Sequence, residues 1–503
     1  MKKVFAVVLM VIMLVSALSV VAACDLGNDD LTVVFYSTMG QNLQDVLNKY
    51  IAEFNKIYPN IEIVHEIPGG YPDVRDQTSQ ELMVGKGPNM AYCYPDHVAL
   101  YNIGDQVVDL YDYMNSTEVI PANSEFGNTE EVAVGMTKAE IDNFIDGYLE
   151  EGTQFVTNSG EEEMLTLPFS KSTEVLYYNE TFFTANNLKV PDHWWCDTNC
   201  PEGCDSSMEY VCRAIKKIDP TSKPLGYDSE ANWFITMCEQ LGTDYTSLEP
   251  KTSPLDSSKV THYTFFNDDN VDFLERFNGW YREGLVTTQT LYGSYTSGLF
   301  TTVDANKVKS YMSIGSSAGA THQRPAQKAG AYPFNVGITT IPQADKNNRK
   351  VISQGPSVCM LKTGSETNLM ATWLFLKYLT TSVEFQTEFS MASGYMPVLE
   401  NVADEELAKT NKAVAKYVEF LDNADGGDNI AALSAKVAIS QADAYYTSPA
   451  FVGSSDARDQ MDILVAKVLG LKEEDGSIRT QIESALRTAL QTCESSNPTP
   501  QGK

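Results

Sequence analysis

The chain has 503 residues, of which 43% are hydrophobic and 10% aromatic, so it can bury a large core and is long enough for two or more domains. Its 67 acidic residues outnumber its 36 lysines and arginines, and its formal net charge is −31. This charge argues against a nucleic-acid-binding protein, because a polyphosphate partner requires a basic surface.

The start of the chain predicts export and a lipid anchor. A basic Met-Lys-Lys start is followed by an apolar run over 4–20, and small residues stand immediately before Cys24. This pattern resembles a bacterial lipobox. We therefore predict a signal peptide over 1–23, a polar tether over 24–30, and acylation of Cys24 with palmitate or a similar chain that holds the protein on the outside of the cell membrane. A signal peptide without acylation and a retained membrane span are the alternatives, although the apolar run is short for a span of about 20 residues.

After the tether the sequence alternates strand and helix patterns. In chain order these are a strand over 31–36, a helix over 44–57, a strand over 61–67, a helix over 74–85 and a strand over 89–94. Such an order predicts a parallel sheet with right-handed crossovers, and ligands of these sheets bind at the carboxyl ends of the strands. The residues expected to contact a ligand at this edge are Tyr36, Tyr71, Tyr94 and Asp96. The composition of residues 115–134 predicts a segment that runs over the protein surface.

The stretch 167–183 reads LPFSKSTEVLYYNETFF. A loop rich in hydroxyl side chains precedes a β-branched and aromatic run, which predicts a buried strand at 175–178. The stretch resembles the PF-x-x-S-T-x-VLYYN segment of family 1 extracellular solute-binding proteins, the cargo receptors of sugar-type ABC importers. In that family the segment crosses from one lobe to the other and leaves hydroxyl groups at the cleft. The resemblance implies that Ser172 contacts the solute.

The alternation restarts after this segment. The predicted elements are helices over 208–218, 231–241 and 270–283, strands over 224–227, 308–314 and 334–341, and a run over 352–361 that crosses back with a break at 355–357. A repeated half-structure with several crossings predicts a periplasmic-binding-protein-like fold, in which two α/β lobes share a multi-strand hinge. We assign 31–166 plus 305–345 to the first lobe, 167–304 plus 352–493 to the second, and 494–503 to a disordered tail.

The last third of the chain adds to the resemblance. Predicted helices over 367–379 and 383–391 precede SGYMP at 393–397, and this order of helix, polar break, helix and G-Y-x-P is similar to the signature of the same family. The similarity covers residues 31–400. It implies a monomeric, extracytoplasmic receptor without enzymatic activity, which closes its hinge around a small solute and delivers it to ABC permease subunits in the membrane.

The glycerol-phosphate-binding branch of the family implies further ligand groups. The residues that fall where that branch keeps its ligand groups are Tyr71, Ser172, Trp233, Gly355 and Tyr395, and Ser316 joins them from the small-residue turn after the 308–314 strand. That branch also has an arginine near 450–453, where this chain reads Ala-Phe-Val-Gly. Because a phosphate dianion without a bidentate cation is poorly held, we expect a neutral mono- or oligosaccharide. Arg458 keeps a polyol phosphate such as glycerol phosphate open as the alternative.

Enzymatic chemistry finds less support. The sequence GSSAG at 315–319 matches the G-x-S-x-G nucleophile elbow of serine hydrolases. The only histidine after Ser317 is His322, with no carboxylate between them, so the required order of Ser, Asp and His fails. We therefore assign no catalytic residue. A secreted carbohydrate-active enzyme with paired carboxylates and a surface adhesin stay open as alternatives.

Nine cysteines become eight if Cys24 is acylated. Four are clustered at Cys196, Cys200, Cys204 and Cys212, and their spacing is less regular than the paired spacing typical of zinc sites. An even number in an exported chain favours disulfides, two of them within this cluster, over free thiols or a metal. The five histidines are scattered. We therefore expect neither a metal nor a cofactor.

Overall fold

The computed structural model describes residues 31–156, 160–196 and 200–497. The predicted signal peptide, Cys24 and the tether lie outside these ranges. Among the described residues, no helix is both long enough and apolar enough to cross a membrane.

The strands and helices follow one another along the whole described chain. The strands are β1 (Thr32–Tyr36), β2 (Glu62–Glu66), β3 (Met90–Cys93), β4 (Val119–Ile120), β5 (Val132–Ala133), β6 (Thr153–Val156), β7 (Glu161–Met164), β8 (Leu167–Pro168), β9 (Ser172–Asn179), β10 (Leu225–Tyr227), β11 (Thr246–Thr252), β12 (Val260–Tyr263), β13 (Val286–Thr288), β14 (Met312–Ser316), β15 (Val336–Thr340), β16 (Val351–Gln354), β17 (Ser357–Met360) and β18 (Tyr445–Tyr446). The α-helices are α1 (Gln41–Ile57), α2 (Tyr71–Leu82), α3 (Pro95–Tyr101), α4 (Leu110–Met114), α5 (Lys138–Ile141), α6 (Asp146–Glu150), α7 (Glu180–Ala185), α8 (Met208–Ile218), α9 (Glu230–Leu241), α10 (Asp268–Arg282), α11 (Gln289–Tyr292), α12 (Ser297–Phe300), α13 (Glu366–Thr381), α14 (Val383–Ser393), α15 (Glu405–Ala408), α16 (Lys412–Asp422), α17 (Ile430–Ile439), α18 (Ser454–Leu469) and α19 (Ile478–Ser496). Short 3-10 helices cover Ser317–Gln323, Glu400–Ala403, Ala442–Ala444 and Glu473–Asp475.

The first lobe is built on a sheet of five strands in the order β2-β1-β3-β17-β8. Strand β1 runs parallel to β2 and β3, as the sequence pattern predicts, whereas β17 is antiparallel to β3 and β8. Helix α1 carries Leu47, Tyr50 and Phe54 at helical spacing on one face. These side chains are buried together with Phe35 and Phe375 in the core of the first lobe.

The second lobe is built on a sheet with the order β13-β10-β14-β9-β16-β18, in which β15 also pairs with β9. Strand β9 contains the predicted 175–178 strand and pairs with β14, β15 and β16. Val175 and Tyr177 pack into one hydrophobic cluster, and Leu176 packs into the larger core of the second lobe. This strand is apolar on both faces because both faces are covered.

The sheet pairings correct the predicted lobe boundaries. Strands β14 and β15 lie within 305–345, which we expected in the first lobe, yet both pair with β9 in the second sheet. Conversely β17, α13 and α14 pack in the first lobe, although 352–493 was expected entirely in the second. The prediction is wrong because apolar runs identify strands but do not identify their partners, which the whole fold decides.

Within the described ranges, three segments connect the lobes, between β8 and β9, between β16 and β17, and between α16 and α17. The first two lie side by side at Gly355, which has φ +93°. A Cβ at this position would lie 2.4 Å from the carbonyl oxygen of Ser170. Glycine is therefore required here, both for its backbone conformation and for the close approach of the two crossing segments.

The remaining predictions need two adjustments. Residues 115–134 form β4 and β5 and bury Phe126 and Val134 against the first core, so this segment is partly packed. Helix α19 extends to Ser496, beyond the predicted start of the tail at 494. Its buried leucines complete the core of the second lobe.

Candidate functional site

A cavity of about 60 Å³ lies between the two lobes, which is smaller than the roughly 300–1,000 Å³ of small-molecule sites, so the lobes must move apart to admit a solute. Its lining includes Tyr94, Pro95, Asp96 and Glu151 from the first lobe, Ile352, Ser353 and Gln354 from the crossing strand β16, and Ile235, Tyr245, Ser454 and Arg458 from the second lobe. The carboxyl end of β3 opens onto this cavity, as the rule for parallel sheets predicts.

Three tyrosines of the first lobe form a cluster beside the cavity, which we call the tyrosine wall: Tyr71, Tyr94 and Tyr395. The ring centroids of Tyr71 and Tyr94 are 4.8 Å apart, and the hydroxyl oxygens of Tyr71 and Tyr395 are 3.5 Å apart. Burial raises the pKa of all three phenols. They are therefore uncharged at neutral pH and can both donate and accept hydrogen bonds.

The position of Tyr395 depends on the end of α14. Gly394 ends this helix in the left-handed conformation, with φ +76°, and a Cβ there would lie 3.6 Å from the carbonyl oxygen of Ala318 in the second lobe. Met396, which follows Tyr395, exchanges two backbone hydrogen bonds with Lys171 of the crossing segment. Tyr395 is thereby held at the hinge, where both lobes meet.

Polar contacts join the lobes at the N-terminal turns of α18. Ser455 Oγ donates to Asp96 Oδ2 over 3.2 Å, and Arg75 Nη1 donates to Asp459 Oδ2 over 3.1 Å. The Arg75 side chain is only 13% exposed. These contacts between the first lobe and α18 require the lobes to be close together.

Arg458 contributes a positive charge to the cavity. Its guanidinium donates a hydrogen bond to Asn232 Oδ1 on α9. Burial by itself lowers the pKa of Arg458, but Asp96 and the other acidic neighbours, including Asp462, outweigh burial and raise it. Arg458 is therefore a fixed cation whose charge is already balanced by carboxylates.

Glu174 of β9 orients the same asparagine from the other side. Its carboxyl group accepts hydrogen bonds from the hydroxyl of Tyr227 over 2.6 Å and from Asn232 Nδ2 over 3.0 Å. Burial raises the pKa of Glu174 to about 7. The network of Glu174, Asn232 and Arg458 thus couples a buried acid of the second sheet to the cavity.

A buried ion pair lies at the first crossing between the lobes. Lys171 Nζ is 3.0 Å from Glu151 Oε2, and the two side chains are 0% and 2% exposed. Lys171 Nζ also donates to Ser357 Oγ over 3.1 Å, and Ser353 Oγ donates to Glu151 Oε2 over 3.3 Å. The pair is therefore fully enclosed and hydrogen-bonded where the chain changes lobes.

Only some of the predicted ligand residues lie at or beside the cavity. Four lie at the cavity or in the tyrosine wall beside it: Tyr71, Tyr94, Asp96 and Tyr395. Ser172 and Gly355 belong to the crossing segments, and Ser172 pairs with the cavity residue Gln354. Ser316 ends β14, where its Oγ accepts from the backbone of Ala318 over 3.2 Å, and it does not line the cavity.

Two of the predicted ligand residues belong to the interior. Trp233 is completely buried, with its ring stacked 3.9 Å from Phe277 and 5.0 Å from Tyr227. The expected ligand contact is therefore wrong for Trp233, because its position on α9 faces the core of the second lobe. Tyr36 is 5% exposed and donates its hydroxyl to Glu81 inside the first lobe, so it does not reach the cavity either.

Sequence reasoning missed several groups of the site. Glu151, Asn232 and Ser455 were not predicted, and Arg458 was considered only as an alternative phosphate ligand. For Lys171 a signal existed, because a lysine inside an otherwise apolar and hydroxyl-rich crossing segment requires a buried partner. Glu151, Asn232 and Ser455 lie on helices or in loops, and the sequence pattern does not show which way their side chains point.

The G-x-S-x-G match is structural. Ser317 is completely buried, and its Oγ accepts a hydrogen bond from the backbone N–H of Thr173 over 3.2 Å. Its carbonyl oxygen accepts from Ser434. A hydroxyl committed in this way to β9 is not positioned as a nucleophile.

The expected disulfides are wrong for the described cysteines. All eight, which include the four of the 196–212 cluster, are free thiols. Cys212 is buried in the core of the second lobe. The ligand atoms of Cys196, Cys200 and Cys204 instead gather with His193, all within 4.8 Å of one another.

Comparison with known proteins gives the family and the fold. Residues 49–416 match the family model described as bacterial extracellular solute-binding protein. The fold is similar to the GacH receptor of Streptomyces glaucescens, solved unliganded and with acarbose, at 14% identity over 92% of this chain and 98% of that chain, with a TM-score of 0.62. It is also similar to UgpB from Mycobacterium tuberculosis in complex with glycerophosphocholine, at 14% identity over 93% and 99% of the two chains, with a TM-score of 0.63.

A third similar structure is Lmo0181 from Listeria monocytogenes in complex with cycloalternan, at 14% identity over 93% of this chain and 98% of that chain, with a TM-score of 0.63. At these identities the likeness shows a shared two-lobed fold. No curated protein is similar enough in sequence to count as a match.

Proposed function

This chain belongs to the bacterial extracellular solute-binding proteins, and from that membership we propose that it is the substrate-binding component of an ABC importer that captures a neutral mono- or oligosaccharide. The membership confirms the resemblance carried by the crossing segment and the G-Y-x-P corner. Proteins of this family bind their solutes outside the cytoplasm.

The tyrosine wall is the observation that carries the carbohydrate proposal. Sugars present apolar CH faces and rings of hydroxyl groups, which match flat aromatic side chains placed beside neutral or anionic hydrogen-bonding groups. Tyr94 and Asp96 offer this combination on one wall of the interlobe cavity. The complexes of the GacH receptor with acarbose and of Lmo0181 with cycloalternan, on similar folds, support the same ligand class.

The charges at the cavity also favour a neutral ligand. The lining contains two acidic side chains, Asp96 and Glu151, and one basic side chain, Arg458. Glu151 is paired with Lys171, and Arg458 is balanced by Asp96 and Asp462. A phosphate dianion would need cations that are free to pair with it, whereas hydroxyl groups can use the existing polar atoms.

Capture proceeds by hinge closure. An open form binds the solute through the tyrosine wall, and the second lobe completes the site by bringing Arg458 and the first turn of α18 against the first lobe. Because the solute contacts both lobes only in the closed form, it shifts the population towards closure. No bond of the solute is made or broken.

A phosphodiester is the second candidate, and Arg458 is the observation that favours it. This arginine lines the cavity, although the sequence comparison at 450–453 suggested that the cation was missing. UgpB, a similar fold, was solved with glycerophosphocholine. A phosphate group that reached Arg458 would gain a charge-assisted hydrogen bond to the guanidinium.

The lipid anchor and the permease partner are part of the proposal. Cys24 follows the predicted signal peptide and is the residue that would carry the acyl chains. Growth with a labelled fatty acid should label the protein, and Cys24→Ala should abolish the label. Label that persists in Cys24→Ala would exclude this anchor.

Ligand binding tests the proposed function. A thermal-shift screen followed by calorimetry should compare acarbose, maltotriose and other neutral oligosaccharides with glycerophosphocholine. A bound ligand at about 100 times its dissociation constant adds about 2.7 kcal/mol to the free energy of unfolding. We expect a neutral saccharide to bind and to be recovered unchanged. If glycerophosphocholine binds and no saccharide does, the ligand is a phosphodiester and not a neutral saccharide. Conversion of the saccharide would indicate an enzyme.

A further inference from the structure

We propose that His193, Cys196, Cys200 and Cys204 form a structural zinc site in the second lobe. The four residues lie in the insert between α7 and α8, outside the ligand cavity. The sequence pattern favours disulfides for these cysteines and predicts no metal. Their arrangement in the fold favours a metal instead.

The distances in the cluster are those of a tetrahedral zinc site. His193 Nε2 lies 3.7 Å from Cys196 Sγ, 3.4 Å from Cys200 Sγ and 3.5 Å from Cys204 Sγ. Zinc bonds of about 2.3 Å to sulfur and 2.0 Å to nitrogen at tetrahedral angles place a sulfur and a nitrogen ligand roughly 3.5 Å apart. All four ligand atoms lie within 4.8 Å of one another, so one ion can reach all of them with little rearrangement.

The histidine is oriented as zinc-binding histidines are. Its Nδ1 lies 2.6 Å from Asp192 Oδ1, and Asp192 in turn pairs with Lys346 over 2.5 Å. A carboxylate on one ring nitrogen fixes the tautomer and directs the other nitrogen to the metal. Nε2 accordingly faces the three thiols.

The backbone around His193 is held by contacts of its own with neighbouring segments. His193 forms β-bridges with Ser207 and Gln343, and its carbonyl oxygen accepts from the N–H of Met208 over 2.8 Å. Met208 is the first residue of α8, whose N-cap is Ser207. A metal at this point would fasten the insert to the start of α8.

A disulfide framework fits the same residues poorly. Three thiols face one imidazole, so a disulfide between two of them would leave the third without a partner. Cys212, the remaining cysteine of the cluster, is 2% exposed and packed in the core of the second lobe. A Cys3His set of thiolates and imidazole is a typical closed zinc site.

The site is structural because its four ligands leave no open coordination position. Catalytic zinc sites keep a position for water or substrate, whereas closed sites contribute to folding stability. None of the four ligands lines the interlobe cavity. Zinc loss is therefore expected to lower the stability of the second lobe and not to remove a contact with the solute.

Metal content and spectroscopy test the proposal on the full chain. Plasma mass spectrometry should find about one zinc ion per chain, and a strong chelator should lower the unfolding temperature until zinc is restored. Cobalt added to the chelated protein should give the intense visible bands of a tetrahedral cobalt–thiolate site. This spectrum uses the wild-type protein, so it does not depend on whether any variant folds.

Matched cysteine variants locate the ion. Cys200→Ser should lose the zinc and the cobalt bands, whereas Cys212→Ala should retain both, because Cys212 is a core thiol and not a ligand. The proposal is overturned if the native protein contains no zinc and binds no cobalt after reduction. It is equally overturned if its unreduced mass shows that the insert cysteines are bridged.

Discussion

Ser455 Oγ lies 3.2 Å from Asp96 Oδ2, and this hydrogen bond joins the first turn of α18 in the second lobe to the first turn of α3 in the first lobe. Asp96 lies in the first turn of α3, where a negative charge is favoured by the helix dipole. Asp96 also lies near Arg458. The contact therefore places one predicted ligand residue at the junction of both lobes.

The tyrosine wall predicts a loss of affinity in Tyr395→Ala. Removing this ring takes away one member of the tyrosine wall and leaves the hydroxyl of Tyr71 without its neighbour at 3.5 Å. We expect calorimetry to show saccharide binding weakened by about 1–3 kcal/mol. Tyr111→Ala is the matched control, since Tyr111 is 60% exposed on the surface. Equal affinities in the two variants would remove the tyrosine wall from the site.

Trp233→Ala should lower the free energy of unfolding, and its effect should not be confined to ligand affinity. Its ring is fully buried and stacked against Phe277 and Tyr227, so truncation leaves a large cavity. We expect the free energy of unfolding in urea to fall by about 3–5 kcal/mol. Trp195→Ala, at a partly exposed position beside Arg276, should cost less. A stable Trp233→Ala protein that has lost only its ligand binding would restore Trp233 to the site.

The buried pair of Lys171 and Glu151 predicts a large cost when one partner is removed. Lys171→Met leaves a buried carboxylate without its cation, and we expect about 3–5 kcal/mol of destabilisation. The double variant Lys171→Met with Glu151→Leu should recover much of this loss, because no unpaired charge then stays buried.

The matched control for that pair is on the surface. Lys138 and Asp142 form an ion pair with side chains 85% and 55% exposed, and Lys138→Ala should change the free energy of unfolding by less than about 0.5 kcal/mol. Similar effects of Lys171→Met and Lys138→Ala would show that the hinge pair is solvated in solution.

Glu174 predicts a pH dependence of stability. Its pKa is raised to about 7 in the folded protein from 4.5, because burial disfavours the charged carboxylate. Between these values the folded state binds more protons than the unfolded state, so its stability falls as pH rises from about 4.5 to 7 and then levels off. The contribution at stake is about 3 kcal/mol.

Urea unfolding of wild type and Glu174→Gln at several pH values isolates this contribution. The difference in unfolding free energy between the two proteins should change across that pH window, and it should be constant above it. Glu53→Gln, at an exposed residue, serves as the control with no such change. A difference that does not vary with pH would mean that Glu174 is ionised throughout.

The bounds of the helices and strands are predicted from the sequence more accurately than the pairing of the strands. The helices at α8, α9 and α10 and the strands β1 to β3 lie within a few residues of their predicted bounds, because hydrophobic periodicity is a local property. Tyr94 and Asp96 line the interlobe cavity, as expected from the rule that ligands of parallel sheets bind at the carboxyl ends of the strands. The assignment of β14 and β15 fails because pairing is decided by contacts distant in the chain.

The site predictions that fail do so for related reasons. Trp233 begins a helix that is buried almost all round, so helical spacing does not distinguish a ligand face from a core face. Whether Arg458 faces the cavity depends on the register of α18, and the family resemblance does not fix that register to within one helical turn. The cysteine cluster carried a signal that was overlooked, since His193 precedes Cys196 by three residues and completes a four-ligand set.

Small-angle X-ray scattering with and without the tightest-binding saccharide tests the central claim, which is solute capture by closure of two lobes. The contacts of Asp96 with Ser455 and of Arg75 with Asp459 form only when the lobes approach. We predict that saturating saccharide decreases the radius of gyration while the saccharide stays chemically intact. A radius of gyration that is unchanged while calorimetry shows the site to be saturated would contradict the account.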